Sequence, residues 1–172
     1  VKEFYLMKKI YDISVPISTD TIIWPGDPEI SLEKILQISS GDDCNLTKII
    51  MGAHTGTHID APYHFITDGK TSDLMPLEIF AGDCLVADYT GDDEIDVKFI
   101  KKINLQGIER ILFKTKNSIC RNQKNFEENF ISLSINAASY LIGKKIKLIG
   151  IDYLSIESFH SQKGKPVHSE LL

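Results

Sequence analysis

Apolar residues recur along this chain with two periods, and each period names an element. Alternation of period two marks a half-buried strand, because successive side chains point to opposite faces. Residues 10–17 alternate in this way and close at Pro16 before a polar turn, so they read as a strand. Residues 30–38 carry Ile30, Leu32, Ile35, Leu36 and Ile38 and read as a second strand. Residues 45–52 read as a third, leading directly into the segment 54–65. Residues 84–89, 110–115 and 147–151 are short apolar runs of the kind found in buried strands. Helical signals come later. Residues 96–103 suit a short helix with Asp96 as its cap, and residues 135–142 a helix capped by Ser134 and ended near Gly143. Residues 76–80 suit one helical turn. Trp24-Pro25-Gly26-Asp27-Pro28 is a rigid turn, since Pro-Gly fits the centre of a type II turn. Asp68-Gly69-Lys70 reads as a turn, residues 91–94 as a loop and the polar stretch 121–128 as a surface loop. Strands first, then helix alternating with strand, predict a mixed α/β domain with a substantial antiparallel part.

Composition narrows the class. At 172 residues the chain suits one domain with a real core, and its 42% hydrophobic and 25% charged residues are ordinary for a globular protein. A net charge of −5 argues against nucleic acid as a partner. No apolar run reaches transmembrane length and the N-terminus does not look like a signal peptide, so no membrane partner is expected. Met7 is an alternative start, with residues 1–6 as a loose leader. Cys44, Cys84 and Cys120 are widely spaced and odd in number, which suggests reduced thiols in a cytoplasmic protein. Cys84 lies in an apolar run and reads as core. No internal repeat or low-complexity linker is present.

The chemistry concentrates in residues 54–65. Three of the five histidines and one aspartate fall within the eleven residues 54–64. Imidazole and carboxylate are the usual nitrogen and oxygen ligands of zinc, manganese and iron. His54 and His58 are four apart, which could suit a helix, but Thr55, Thr57 and Ile59 are β-branched and Gly56 sits among them. Read as a strand, His54, Gly56, His58 and Asp60 share one face, with Pro62 ending the run or starting a turn of helix and His64 able to swing back over it. The pattern suggests two or three metal ligands with a further histidine beside the metal. His64 is a ligand, a general acid or base, or a supporting partner on this reading. A lone histidine is more often a core or surface residue than a ligand; four such residues around a glycine favour the metal.

Other candidates are weaker. Trp24 on its rigid turn is either an aromatic wall for a planar substrate or a loop residue packed on the core. Asp152 and Ser155 follow the strand at 147–151, where sites gather in α/β folds, and Asp152 equally suits a turn. His168 follows Lys163-Gly164-Lys165-Pro166 and either folds back onto a metal site or lies at the surface; His160 has no pattern around it. P-loop, GxSxG and Rossmann glycine patterns are absent.

Residues 54–65, His-Thr-Gly-Thr-His-Ile-Asp-Ala-Pro-Tyr-His-Phe, closely resemble the signature of the metal-dependent cyclase/hydrolase family that includes bacterial kynurenine formamidase and isatin hydrolase. Tyr11-Asp12-Ile13-Ser14 with Pro16-Ile17 resembles the family's opening strand, Trp24-Pro25-Gly26-Asp27 its substrate loop, Gly150-Ile151-Asp152 with Ser155 its late strand, and His168-Ser169-Glu170-Leu171-Leu172 its His-x-x-Leu-Leu motif. The resemblance implies an α/β fold around a mixed, partly barrel-like sheet with flanking helices. It implies His54, His58 and Asp60 as metal ligands, Asp60 able to bridge two ions, His168 as a ligand of the second, His64 as proton donor and acceptor, and Trp24 as a wall of the substrate pocket. It implies one or two Zn²⁺ or Mn²⁺ ions per chain, a small-molecule substrate and a homo-oligomer, dimer or tetramer. In the family a further metal-binding glutamate and a closing strand follow the last histidine, whereas this sequence stops four residues after His168. The expectation is a single domain over residues 1–172 that lacks that strand.

The residue set suits metal-assisted amide hydrolysis. A bound divalent ion lowers the pKa of water from 15.7 to about 7 and polarises a carbonyl, while a histidine with an ordinary pKa near 6.5 carries a proton to the leaving nitrogen. The resemblance puts N-formylkynurenine first as substrate, hydrolysed to an amine and formate in tryptophan catabolism, and a cyclic amide such as isatin next. A non-catalytic metal-binding protein is the competing class.

Overall fold

The computed structural model describes residues 9–120, 125–161 and 165–172. Its regular elements in chain order are β1 (Ser31–Leu36), β2 (Leu46–Ile50), β3 (Leu85–Asp88), α1 (Val97–Ile100), β4 (Arg110–Lys114), α2 (Asn117–Cys120), α3 (Ile135–Gly143), β5 (Leu148–Ile151) and α4 (Pro166–Leu171). The strands form two separate sheets, an antiparallel pair β1-β2 and a parallel sheet in the order β3-β4-β5. The α/β class read from the sequence holds; the described strands do not join into one barrel-like sheet.

The core lies on the parallel sheet. β4 is central, pairing Leu85 with Ile111 on one side and Ile111 with Ile149 on the other. Ile111 and Phe113, two residues apart, are fully buried on one face. On the opposite face Leu112 lies beside Gly150, where an added Cβ would come within 2.5 Å of the end of the Leu112 side chain and make it shift. α3 covers the buried face with Ala137, Ala138 and Leu141, a spacing that shares one side of a helix. It starts where Ser134 Oγ accepts the Ala137 N–H at 3.3 Å. α3 also packs against α1 and α4. Asp96 caps α1 by accepting the Phe99 N–H at 2.9 Å, as its sequence position suggests, but the α-helix closes after four residues, and single turns continue to Ile103.

Two polar clamps tie this core together. Asn117, buried at the start of α2, exchanges two 2.8 Å hydrogen bonds with the backbone of Ile131. Asp152, just past β5, accepts from Thr115 N and Oγ1 at 2.8 Å each, from Ser118 N at 3.2 Å, and from the Ser118 hydroxyl. Asp152 therefore fastens the end of β4 to the end of β5, the turn role rather than a site role.

Several sequence expectations change. Residues 10–17 form no strand: Ser14 N donates to Asp12 Oδ1 and Val15 N to Thr57 Oγ1, so side chains take the amides a ladder would need. Ile10 and Tyr11 are 92% and 69% exposed, and alternation without a partner strand does not make a sheet. The strand expected over 30–38 shortens to β1, followed by a 3₁₀ turn at Ile38–Ser40. Cys84 is exposed, not core, because it precedes β3 at the sheet edge. α2 and α4 are too short for periodicity to reveal. The expected loop over 121–128 falls partly outside the described residues. Among the described residues, no helix is long and apolar enough to cross a membrane.

Asn117→Ala removes both partners of a buried peptide. Each orphaned group costs about 1–3 kcal/mol, so chemical denaturation should show a loss of at least that size; an unchanged midpoint would rule the clamp out as a source of stability.

Candidate metal centre

The segment 54–60 is a turn, not the strand its alternation suggests. Gly56 decides this. It has φ +69°, a left-handed conformation that favours glycine, and a Cβ there would lie 2.4 Å from Ile17 Cδ1. Residues 15–17 cross directly over the turn, anchored by the bond from Val15 N to Thr57 Oγ1 at 2.8 Å. Thr55 N donates to Gly52 O at 3.2 Å and closes the bend. The reversal gathers the same residues that alternation would have aligned, by a different route.

Asp60 is the meeting point. His54 Nδ1 donates to Asp60 Oδ1 at 2.7 Å. His58 Nε2 stands 3.5 Å from the same oxygen, and His168 Nε2 stands 3.7 Å from Oδ2. The tautomers follow from the other ring nitrogens. His58 Nδ1 is 2.8 Å from the Gly56 carbonyl, which can only accept, so the proton sits on Nδ1. His168 Nδ1 is 2.6 Å from Glu157 Oε2, with the same consequence. In their neutral forms both imidazoles aim an Nε2 lone pair at a carboxylate. Acceptors facing acceptors require a cation between them, either a proton or a metal.

The protonation equilibria reflect that demand. Burial pushes the Asp60 carboxyl up, but the hydrogen bond from His58 and the charges of His58, His64 and His54 outweigh it and hold the pKa down at about 2. Its hydrogen bond to Asp60 raises His58 against the opposing effect of burial. Burial, then the neighbouring His54 charge, lowers His64. Burial raises Glu157, yet hydrogen bonds from the His168 backbone, Ser161 and the His168 ring leave it below the ordinary glutamate range.

The donor set fits a metal. Ligand atoms of His54, His58 and Asp60 lie within 4.8 Å of one another, so small rotations bring them to the roughly 2.0–2.2 Å that zinc takes from nitrogen and oxygen. His168, on α4, brings a fourth donor to the far oxygen of Asp60. His64 occupies the 3₁₀ turn Pro62–His64, started by proline as its position suggests. Its ring stacks on His54 with centroids 3.7 Å apart. His54, His58 and His64 line a cavity of about 600 Å³ together with Tyr63, Thr71 and Ser72.

Trp24 lies in a neighbouring aromatic cluster. Its turn forms, with Asp27 N donating to Trp24 O at 3.0 Å and Gly26 at φ +94°. The indole packs against Phe126 and Phe159, with centroids 5.0 and 5.4 Å away, and is not among the residues lining the histidine cavity. His160 stays exposed beside Asn129. Glu157 was not visible from the sequence. Nothing in its local pattern marks it, and only the fold brings it to His168.

An α/β scaffold that aims imidazoles at one carboxylate defines a metal-binding protein, and comparison supplies the family. The chain matches the family described as "Putative cyclase" over residues 11–158 and belongs to it. It is 35% identical over 160 residues to a kynurenine formamidase of Bacillus cytotoxicus, covering 93% of this chain and 75% of that protein. The structure of a potential metal-dependent hydrolase with cyclase activity superposes with a TM-score of 0.78 at 35% identity, over 95% of this chain and 76% of that one. An isatin hydrolase bound to the product analogue thioisatinate superposes with a TM-score of 0.70 at 18% identity, over 92% and 73%, and shows the shared fold. The resemblance read from the sequence is thus borne out.

Gly56→Ala combines a disfavoured φ with a clash on Ile17. It should destabilise by more than the roughly 0.4–1 kcal/mol that the same change gains where the backbone is compatible, and weaken metal binding with it. Wild-type melting and metal affinity in that variant would refute the role given to the turn.

Proposed function

We propose that the chain is a metal-dependent hydrolase of a small amide, with an aryl formamide such as N-formylkynurenine as substrate and an amine plus formate as products. The observation that carries the reading is the convergence of His58 and His168 Nε2 on Asp60, beside His54. The 35% identity to a kynurenine formamidase supports the choice of substrate. His54, His58 and Asp60 would hold an ion, Zn²⁺ or Mn²⁺, one or two per chain, with His168 as a further donor on the Oδ2 side of Asp60. The ion, when bound, supplies Lewis-acid polarisation of the carbonyl and lowers the pKa of water to about 7.

The remaining chemistry belongs to the side chains. His64 lies on the cavity wall against His54, where a substrate reaches it. It accepts a proton from the attacking water and returns it to the amide nitrogen as the C–N bond breaks. Trp24 contacts the substrate's aromatic ring from the adjoining cluster; its turn abuts the histidine loop, where Gly52 approaches Pro28 and Asp27. The exposed apolar residues of the β1-β2 pair, among them Ile35, Leu46 and Ile49, support a homo-oligomer, dimer or tetramer. The free thiols Cys44 and Cys84 suit a reducing cytoplasm, and residues 1–172 read as one domain.

The direct test is turnover of N-formylkynurenine by protein of known metal content. Chelation should abolish it, and Zn²⁺ or Mn²⁺ should restore it; full metal occupancy with no turnover would leave a metal-binding protein that is not this hydrolase. His64→Ala should lower turnover by roughly 10²–10⁴-fold with metal content unchanged. Loss of metal in that variant would make His64 a ligand instead.

A further inference from the structure

Glu157 stands outside the residue set of the preceding mechanism, yet it is 1% exposed and bonded to one of that set. Its Oε2 accepts two hydrogen bonds from a single residue, from His168 N at 3.0 Å and from His168 Nδ1 at 2.6 Å. The backbone bond does what a helix cap does. Lys165, at the cap position of α4, has φ +48° and no side-chain cap bond, and Glu157 reaches the third amide of the helix from another element. The ring bond sets chemistry. A carboxylate only accepts, so the imidazole proton is held at Nδ1 and Nε2 is left with a free lone pair, 3.7 Å from Asp60 Oδ2.

The loop carrying Glu157 is itself held. Leu133 N donates to Ile156 O at 2.8 Å, and Glu157 N donates to Ser155 Oγ at 3.1 Å. Leu133 is fully buried in the core above the parallel sheet. A continuous line of fixed groups therefore runs from the core through Glu157 to the His168 ring. Both rotation of the ring and transfer of its proton would break a buried bond.

We propose that Glu157 is the positioning residue that selects the Nδ1–H tautomer of His168 and aims its Nε2 into the site. The selection is a property of the folded chain alone. Its effect on metal affinity rests on the reading given under Proposed function.

The experiment is ¹⁵N NMR of the His168 ring in metal-free, full-length protein, joined to zinc affinity by chelator competition. In the neutral ring of the wild type the proton should reside on Nδ1; a neutral ring with its proton on Nε2, or exchanging freely between the two nitrogens, overturns the proposal. Glu157→Leu should mix the tautomers and weaken zinc by about 10–100-fold, the usual effect of losing such a partner. Glu157→Gln, which keeps an acceptor oxygen, should restore the tautomer and part of the affinity. A folded Glu157→Leu protein with the wild-type tautomer and zinc affinity overturns the proposal. If that variant does not fold, mixed tautomers with unchanged zinc affinity in Glu157→Gln overturn it. A wild type that binds neither zinc nor manganese sinks the metal reading, while the tautomer still decides the role of Glu157.

Discussion

The carboxylate of Asp60 is the group on which this site depends. It is held ionised, at a pKa of about 2, although burial works against it. One oxygen faces His54 and His58 and the other faces His168. A carboxylate in that position attracts a cation and orders the imidazoles around it, while a neutral group would do neither. The tautomers make the demand sharper, because the Nδ1 atoms of His58 and His168 are already committed to other acceptors. Each Nε2 is thereby left facing the carboxylate, a pairing that calls for a cation between them.

Two unrelated pieces of scaffold produce that array. His54, His58 and Asp60 sit on a turn made by the chain's own local geometry, with Gly56 at its reversal and residues 15–17 strapped across it. His168 comes from α4, which packs on α3 and places Val167 in the core. The first piece carries little core of its own. The second is continuous with the most buried residues of the chain, through Leu133, Ile156 and Glu157. Precision at His168 thus follows from packing, and precision at His54 and His58 from turn stereochemistry.

The antiparallel pair β1-β2 contrasts with both. Its residues are exposed on both faces apart from the partly buried Leu36. Alternating isoleucine and leucine led to the expectation of strands there, and strands formed, because pairing between neighbours in sequence needs only a short connection. Residues 10–17 carry as good an alternation and did not form a strand, because their amides found Asp12 and Thr57 side chains first. Period two reports which faces a strand would have; a partner strand decides whether the strand exists.

By itself the sequence determined the chemistry of residues 54–64, the caps at Asp96 and Ser134, the Trp24 turn and the strands that became β3, β4 and β5. These are local properties, written in residue type and spacing. Only the tertiary structure decided that the histidine segment bends at Gly56, that Trp24 joins Phe126 and Phe159, and that Cys84 is exposed. It alone brought His168 to Asp60 across more than a hundred residues and set Glu157 behind it. The reason is physical. Spacing in sequence constrains partners within a turn or a strand, whereas contacts between distant segments are chosen by which packing of the whole core buries the most apolar surface and leaves the fewest polar groups unpaired.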